Sequence, residues 1–205
     1  MKKKISIILN SLIIFFEIIG IIYSISFNHR VAIDYYTEES NILALITSIL
    51  FLVYVNKGIP NWVKMFKYIS TIGVSVTFFV VLFILLPMVN FNVYAMFFDG
   101  TLLYHHFLCP ILGVVTFIWF DDLGEFNKKD SLFGLIHTCI YAVVMIILNL
   151  LRLYDGPYPF LRVYDQGIIM SIIWLIIIFG LAYLISSLLR IIKKKVDING
   201  SIGRI

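Results

Sequence analysis

An all-α membrane protein, a six transmembrane helix bundle with both termini cytoplasmic, is expected from three observations. These are an extreme apolar composition, six apolar stretches of spanning length, and lysines gathered between alternate stretches. The 205-residue chain is 61% hydrophobic and 14% charged, with a mean hydropathy of +0.99, whereas soluble domains average about 45–50% apolar and about 25% charged. Crossing ~30 Å of hydrocarbon takes about 20 helical residues. Stretches of that order are read at residues 5–26, 41–57, 68–89, 102–120, 131–151 and 167–190. No internal repeat, low-complexity linker or composition shift marks a second unit, so residues 1–205 are read as one transmembrane domain.

The first stretch follows Lys2, Lys3 and Lys4. Its apolar run is too long for a signal-peptide core and lacks a small-residue cleavage pattern, so it is read as a span. The second opens with Tyr36, Thr37, Glu38, Glu39, Ser40 and Asn41, and the third carries Pro87 near its end. The fourth opens with His105 and His106 and contains Pro110, which removes a backbone donor and frees the His106 carbonyl one turn earlier. The fifth finishes at Asn149 and Arg152 and holds His137 and Cys139 toward its cytoplasmic end, far from that polar cluster and read as packing residues. A loop rich in Gly and Pro, from Tyr154 to Arg162, leads into the sixth.

Basic residues set the expected orientation, because cytoplasmic loops near span ends retain Lys and Arg. Lys2–Lys4, Lys57, Lys64, Lys67, Lys128, Lys129, Arg190, Lys193–Lys195 and Arg204 fall on one side, against Arg30, Arg152 and Arg162 on the other. The net charge of +4 is therefore topological, and no continuous basic face points to nucleic acid. Cys109 and Cys139 both fall inside spans, and two cysteines set no metal spacing, so no metal or cofactor is read. The longer loops lie on the outer side, where Tyr35, Tyr36, Tyr94, Tyr104, Tyr154, Tyr158 and Tyr164 are read chiefly as an aromatic interfacial belt.

The polar interruptions carry the functional reading. Thr37 and a histidine open two spans on the same side, which puts both shallow beneath the outer interface. A hydroxyl beside an imidazole is the minimum apparatus for nucleophilic acyl transfer. The plain alternatives are a helix N-cap for Thr37, interhelical hydrogen bonds for Ser40 and Asn41, and a hydrated interfacial residue for either histidine. Successive helical positions point about 100° apart, so one histidine of the pair is expected to face inward. Glu17 falls midway along the first span, where an ionisable group is costly and marks a functional site by default. It orients the histidine, carries protons for a transporter, or is a protonated hydrogen-bonding partner of a neighbouring helix. Asn149 and Arg152 form a further polar cluster, with Arg152 or Arg162 placed to meet a carboxylate, a phosphate, or Asp155 and Asp165.

Three segments give the chain a resemblance to a known family: Tyr36-Thr37-Glu38-Glu39-Ser40-Asn41, Leu103-Tyr104-His105-His106-Phe107-Leu108-Cys109-Pro110, and Tyr158-Pro159-Phe160-Leu161. It resembles the androgen-induced and androgen-dependent TFPI-regulating proteins and their bacterial six-span relatives. The resemblance implies a membrane hydrolase with a Thr nucleophile and a His partner, acting in animal members on fatty acid esters of hydroxy fatty acids. Carried over, Thr37 matches the Thr and His106 the His. The doubled histidine and the Thr37–Asn41 spacing depart from the animal pattern. Hydrolysis of a lipid ester in a bacterial plasma membrane is the expectation, with catalytic Thr37 and His106 supported by Ser40, Asn41, His105, Glu17, Asn149 and Arg152. The bilayer and a fatty-acyl ester are the expected partners. A small transporter or lipid-binding protein built on Glu17 is the alternative.

Overall fold

The computed structural model describes residues 1–202; Arg204, counted above among the basic residues, lies outside them. Six helices are long and apolar enough to cross a bilayer. They are α1 (Lys2–Asn28), α2 (Tyr36–Tyr54) and α3 (Asn61–Met88), then α5 (Leu103–Phe120), α6 (Lys128–Leu150) and α7 (Ile168–Ile202). A short helix, α4 (Val93–Phe97), sits in the loop before α5. Among the described residues every regular element is helical, and the chain is an integral membrane protein.

Two spans start five residues or more before the apolar runs do. Helix α2 begins at Tyr36 because its opening polar groups are satisfied locally: Ser40 Oγ and Asn41 Nδ2 both donate to the Thr37 carbonyl, at 3.0 and 2.8 Å. Helix α3 begins at Asn61 and takes in Lys67, whose ammonium donates to Asn10 Oδ1 at 2.7 Å and Ser48 Oγ at 3.0 Å. Paired in this way, a cation is tolerable inside the bundle.

Helix α3 is the centre of the assembly, packing against α2, α5, α6 and α7. Its apolar window is 67% buried, against 17% for α7, which therefore turns most of its surface to lipid. Close approach of α6 to α3 depends on Gly134, where a Cβ would lie 2.4 Å from Ile72 Cδ1. The core runs along this axis through Tyr68, Ile72, Val76, Phe117 and Tyr141.

Both prolines expected to disturb spans adjoin π-helical turns, Val81–Leu85 before Pro87 and Leu103–Leu108 before Pro110. In α5 the Cys109 amide reaches back five residues to the Tyr104 carbonyl. In that register the acceptor left without a donor by Pro110 is His105, not His106 as α-helical spacing predicts. The Asn41 amide fills the gap, donating to the His105 carbonyl at 3.1 Å.

Candidate functional site

The Thr37 hydroxyl faces inward from the first turn of α2. It is not an N-cap: Tyr35 holds that position, with no side-chain capping bond. Thr37 Oγ1 lies 3.4 Å from His106 Nε2 and 3.4 Å from the Tyr158 hydroxyl. On the far side of the imidazole, Nδ1 is 2.7 Å from the Met96 carbonyl. A carbonyl only accepts, so the ring proton is on Nδ1 and Nε2 presents its lone pair to Thr37. Helix α4, which supplies Met96, fixes the tautomer a general base needs. The 3.4 Å separation is longer than the ~2.6–3.2 Å of a catalytic hydrogen bond, as is common without bound substrate.

Both histidines point inward, contrary to the expectation that one of the pair faces lipid. Helix α4 covers the side of α5 that carries His106, while His105 turns toward α1. His105 Nε2 lies 3.4 Å from Glu17 Oε2, and Nδ1 lies 3.4 Å from Glu38 Oε1. All three side chains are buried. The ring fits because residue 20 is glycine: a Cβ there would sit 2.2 Å from His105 Nε2. The histidine beside Glu17 is His105 rather than His106, and among the described residues neither the carboxylate oxygens nor the His105 ring nitrogens form a hydrogen bond.

The pair is deeper than its position at the starts of α2 and α5 predicts. His105 meets α1 at Glu17, ~16 Å along the helix from Asn28, and Ser40 beside Thr37 meets α3 at Thr77, ~16 Å from Met88. Helices of this length exceed the ~30 Å hydrocarbon layer. The site thus lies roughly 10 Å or more inside the apolar layer, on the half opposite the termini. The starts of α2 and α5 are sunk in the bundle beneath α4 and the loop between α6 and α7.

The inward packing of that loop is what sequence reading missed. The loop carries Tyr158, assigned above to the interfacial belt but buried against Thr37, and Phe160 and Leu161, which are buried as well. Asn149 and Arg152 do not reach Thr37; they hold the loop. Asn149 donates to the Asp155 carbonyl at 3.2 Å and accepts from the Val163 amide at 2.8 Å. Arg152 lies over the Tyr164 ring, 4.8 Å from its centroid, while Arg162 pairs with Asp165 at 3.8 Å. His137, read as a packing residue, meets the start of α2. It lies 3.5 Å from Glu39, and its ring is 4.9 Å from that of Tyr36, because the sunken start of α2 reaches the level of Ile136–Thr138.

Thr37 opens onto a cavity of about 40 Å³ with almost wholly apolar walls, among them Val76, Val80, Leu85, Ala142, Leu161 and Ile178. The polar groups on its lining are chiefly hydroxyls: Tyr36 and Thr138 hydrogen-bond each other at 2.8 Å, and Thr77 bonds Ser40 at 3.0 Å. No group of three or more His, Cys, Asp or Glu residues suited to a metal occurs among the described residues. Cys109 and Cys139 are free thiols.

A six-span helical membrane protein with a buried threonine–histidine pair is the class that fold and site define. No family model, curated protein or solved structure matches the chain.

Proposed function

We propose that the protein is an intramembrane hydrolase of lipid esters, of the fatty acid ester of hydroxy fatty acid type, working from a bacterial plasma membrane with the site in the outer half of the bilayer. The observation that carries this reading is the Thr37–His106 contact, with the imidazole locked by the Met96 carbonyl in the tautomer that accepts a proton. In the reaction His106 Nε2 takes the Thr37 proton and Oγ1 attacks the ester carbon. The alkoxide leaving group recovers the proton from Nε2, and water then releases the acyl group by the same route in reverse. The apolar walls of the cavity at Thr37 match the character of an acyl chain, which must widen its ~40 Å³ on entering. The cavity's volume also admits a water or two, at ~10–15 Å³ each.

Incubation of the purified protein with a fluorogenic long-chain ester tests the assignment. Thr37→Ala and His106→Ala are each expected to lower turnover at least ~10²-fold. Turnover that survives both changes at the parent rate removes it.

A second reading, a small transporter or lipid-binding protein, draws support from the buried Glu17–His105–Glu38 group, since mid-membrane carboxylates line proton and substrate paths. It expects flux across vesicles that Glu17→Gln abolishes, with no ester turnover in any variant.

A further inference from the structure

Acyl transfer at Thr37 puts negative charge on the ester's carbonyl oxygen, and that charge needs a donor fixed in place before reaction. The Asn41 amide is already committed to the carbonyls of Thr37 and His105. Of the other hydroxyl-bearing residues on the cavity, Tyr36 and Thr138 bond each other, Thr77 bonds Ser40, and Tyr141 donates to the Asp34 carbonyl. We propose that the Tyr158 hydroxyl is a further catalytic residue, donating a hydrogen bond to the oxyanion that forms beside Thr37. The inference rests on the hydrolase reading and adds to it the residue that holds the developing charge.

The geometry defines a directional chain. His106 Nδ1–H is committed to Met96, so Nε2 accepts from the Thr37 hydroxyl. The Thr37 oxygen then accepts from Tyr158, 3.4 Å away. When Oγ1 bonds the ester carbon, the π pair of C=O moves onto oxygen and the Thr37 proton passes to Nε2. Oγ1 no longer carries a charge, and the oxyanion one bond beyond the new C–O link becomes the acceptor for the phenol. Collapse restores C=O, breaks the bond to the alkoxy oxygen, and returns the proton from Nε2 to that oxygen. The phenol keeps its proton throughout. Burial pushes the Tyr158 hydroxyl up to about 12, so it remains a donor at neutral pH.

Tyr158 is also held rigidly, as such a donor must be. Its ring stacks on Phe160 at an 8° interplanar angle and meets the Tyr35 ring edge-on. The loop behind it is tied down by Asn149, by Arg162 Nε donating to the Gly156 carbonyl, and by Gln166 Nε2 donating to the Phe160 carbonyl.

The test compares the parent protein with Tyr158→Phe on a long-chain ester. A trifluoromethyl ketone analogue, which adds to Thr37 and bears the oxyanion, and the matching unreactive ether are measured as inhibitors alongside. The substitution is expected to lower kcat by ~10²–10³-fold with KM changed less than about threefold. The ketone should weaken by the same factor as kcat/KM and the ether hardly at all. Equal weakening of ketone and ether, or an unchanged kcat, overturns the assignment while leaving Thr37 and His106 in place. Absence of Thr37-dependent turnover in the parent protein removes the hydrolase reading and the tyrosine's role with it. If the phenylalanine variant is unstable, 3,5-difluorotyrosine at 158 keeps the ring while making the phenol more acidic. Loss of kcat at high pH should then begin at lower pH than in the parent, and an unmoved profile rejects the donor role.

Discussion

Gly20 and Asn41 show how single side chains, or their absence, arrange the site. Gly20 leaves the space that the His105 ring fills, and α1 thereby meets the polar end of α5. Gly20→Ala forces ring or helix to move, an overpacking expected to cost about 1–3 kcal/mol. Thermal unfolding in detergent measures it, and an unchanged midpoint would mean that α1 does not hold His105. Asn41→Leu removes the donor to the His105 carbonyl and leaves a buried acceptor orphaned, at about 1–3 kcal/mol. It should also lower ester turnover, because the same amide holds the carbonyl of Thr37. These residues divide what is legible from what is not. The candidates Thr37, Ser40, Asn41, His105 and Glu17 stand out in sequence because polar groups in apolar helices are costly. Which histidine faces Thr37 depends on a π turn and on Met96, ten positions back, and no side-chain pattern encodes a carbonyl contact.

At the scale of elements, α5 and the loops around it decide the site's depth. Pro110 ends the π turn that carries both histidines. Pro110→Ala restores a donor and lets the segment return to α-helical register, turning His106 about one residue's rotation away from Thr37. Expected are unchanged or higher thermal stability and a turnover reduced at least ~10-fold; full activity in the variant would show the π turn to be incidental. The number and order of spans follow from hydropathy alone, whereas the sinking of α2 and α5 does not. It depends on α4 and Tyr158–Leu161 folding inward, and an aromatic loop segment reads equally well as interfacial. A second tie joins these loops. Asp34 accepts from Arg30 and from Tyr154, and Tyr141 donates to its carbonyl. Burial alone raises the Asp34 carboxyl, but the bonds from Arg30 and Tyr154 outweigh it and hold the group below the usual carboxylate range. A depressed carboxyl stabilises above its unfolded value of ~3.9 and loses that contribution as pH falls through its folded value. Tyr154→Phe should therefore be less stable than the parent near neutrality, by about 1 kcal/mol for the loss of this part-buried hydrogen bond. The gap should close in acid, and an equal gap at every pH would place the effect in packing.

Across the whole molecule, polar groups are divided between two levels, the site on the half opposite the termini and a clasp near the face that carries them. In the clasp, Asp121 Oδ1 accepts from Ser6 at 2.6 Å and Asn10 at 3.0 Å, and Asn10 in turn accepts from Lys67. Lys193 donates to the Asp121 carbonyl at 2.9 Å and pairs with Asp197 at 3.2 Å. Four spans, α1, α3, α5 and α7, are joined through one buried aspartate at the end of α5. Lys67, counted in the sequence only as a sign of orientation, is buried and joins this network through Asn10. Lys67 reaches the aspartate through Asn10, so removing the lysine leaves the Asn10 and Ser48 oxygens without their donor. Lys67→Met is expected to cost about 1–3 kcal/mol, and the double variant with Asp121→Asn clearly less than the sum of the single changes. Burial pushes the Asp121 carboxyl above its ordinary value. Because the folded state then binds this proton more tightly than the unfolded chain, its contribution is present below the unfolded value and declines as pH rises through the folded one. Stability of the parent should accordingly slope downward above about pH 4, and Asp121→Asn should flatten that slope. Additive single changes, or a slope indifferent to Asp121→Asn, would show that the four spans are held by apolar packing alone. Ester turnover, read at the opposite level of the bundle, should survive any clasp variant that still folds.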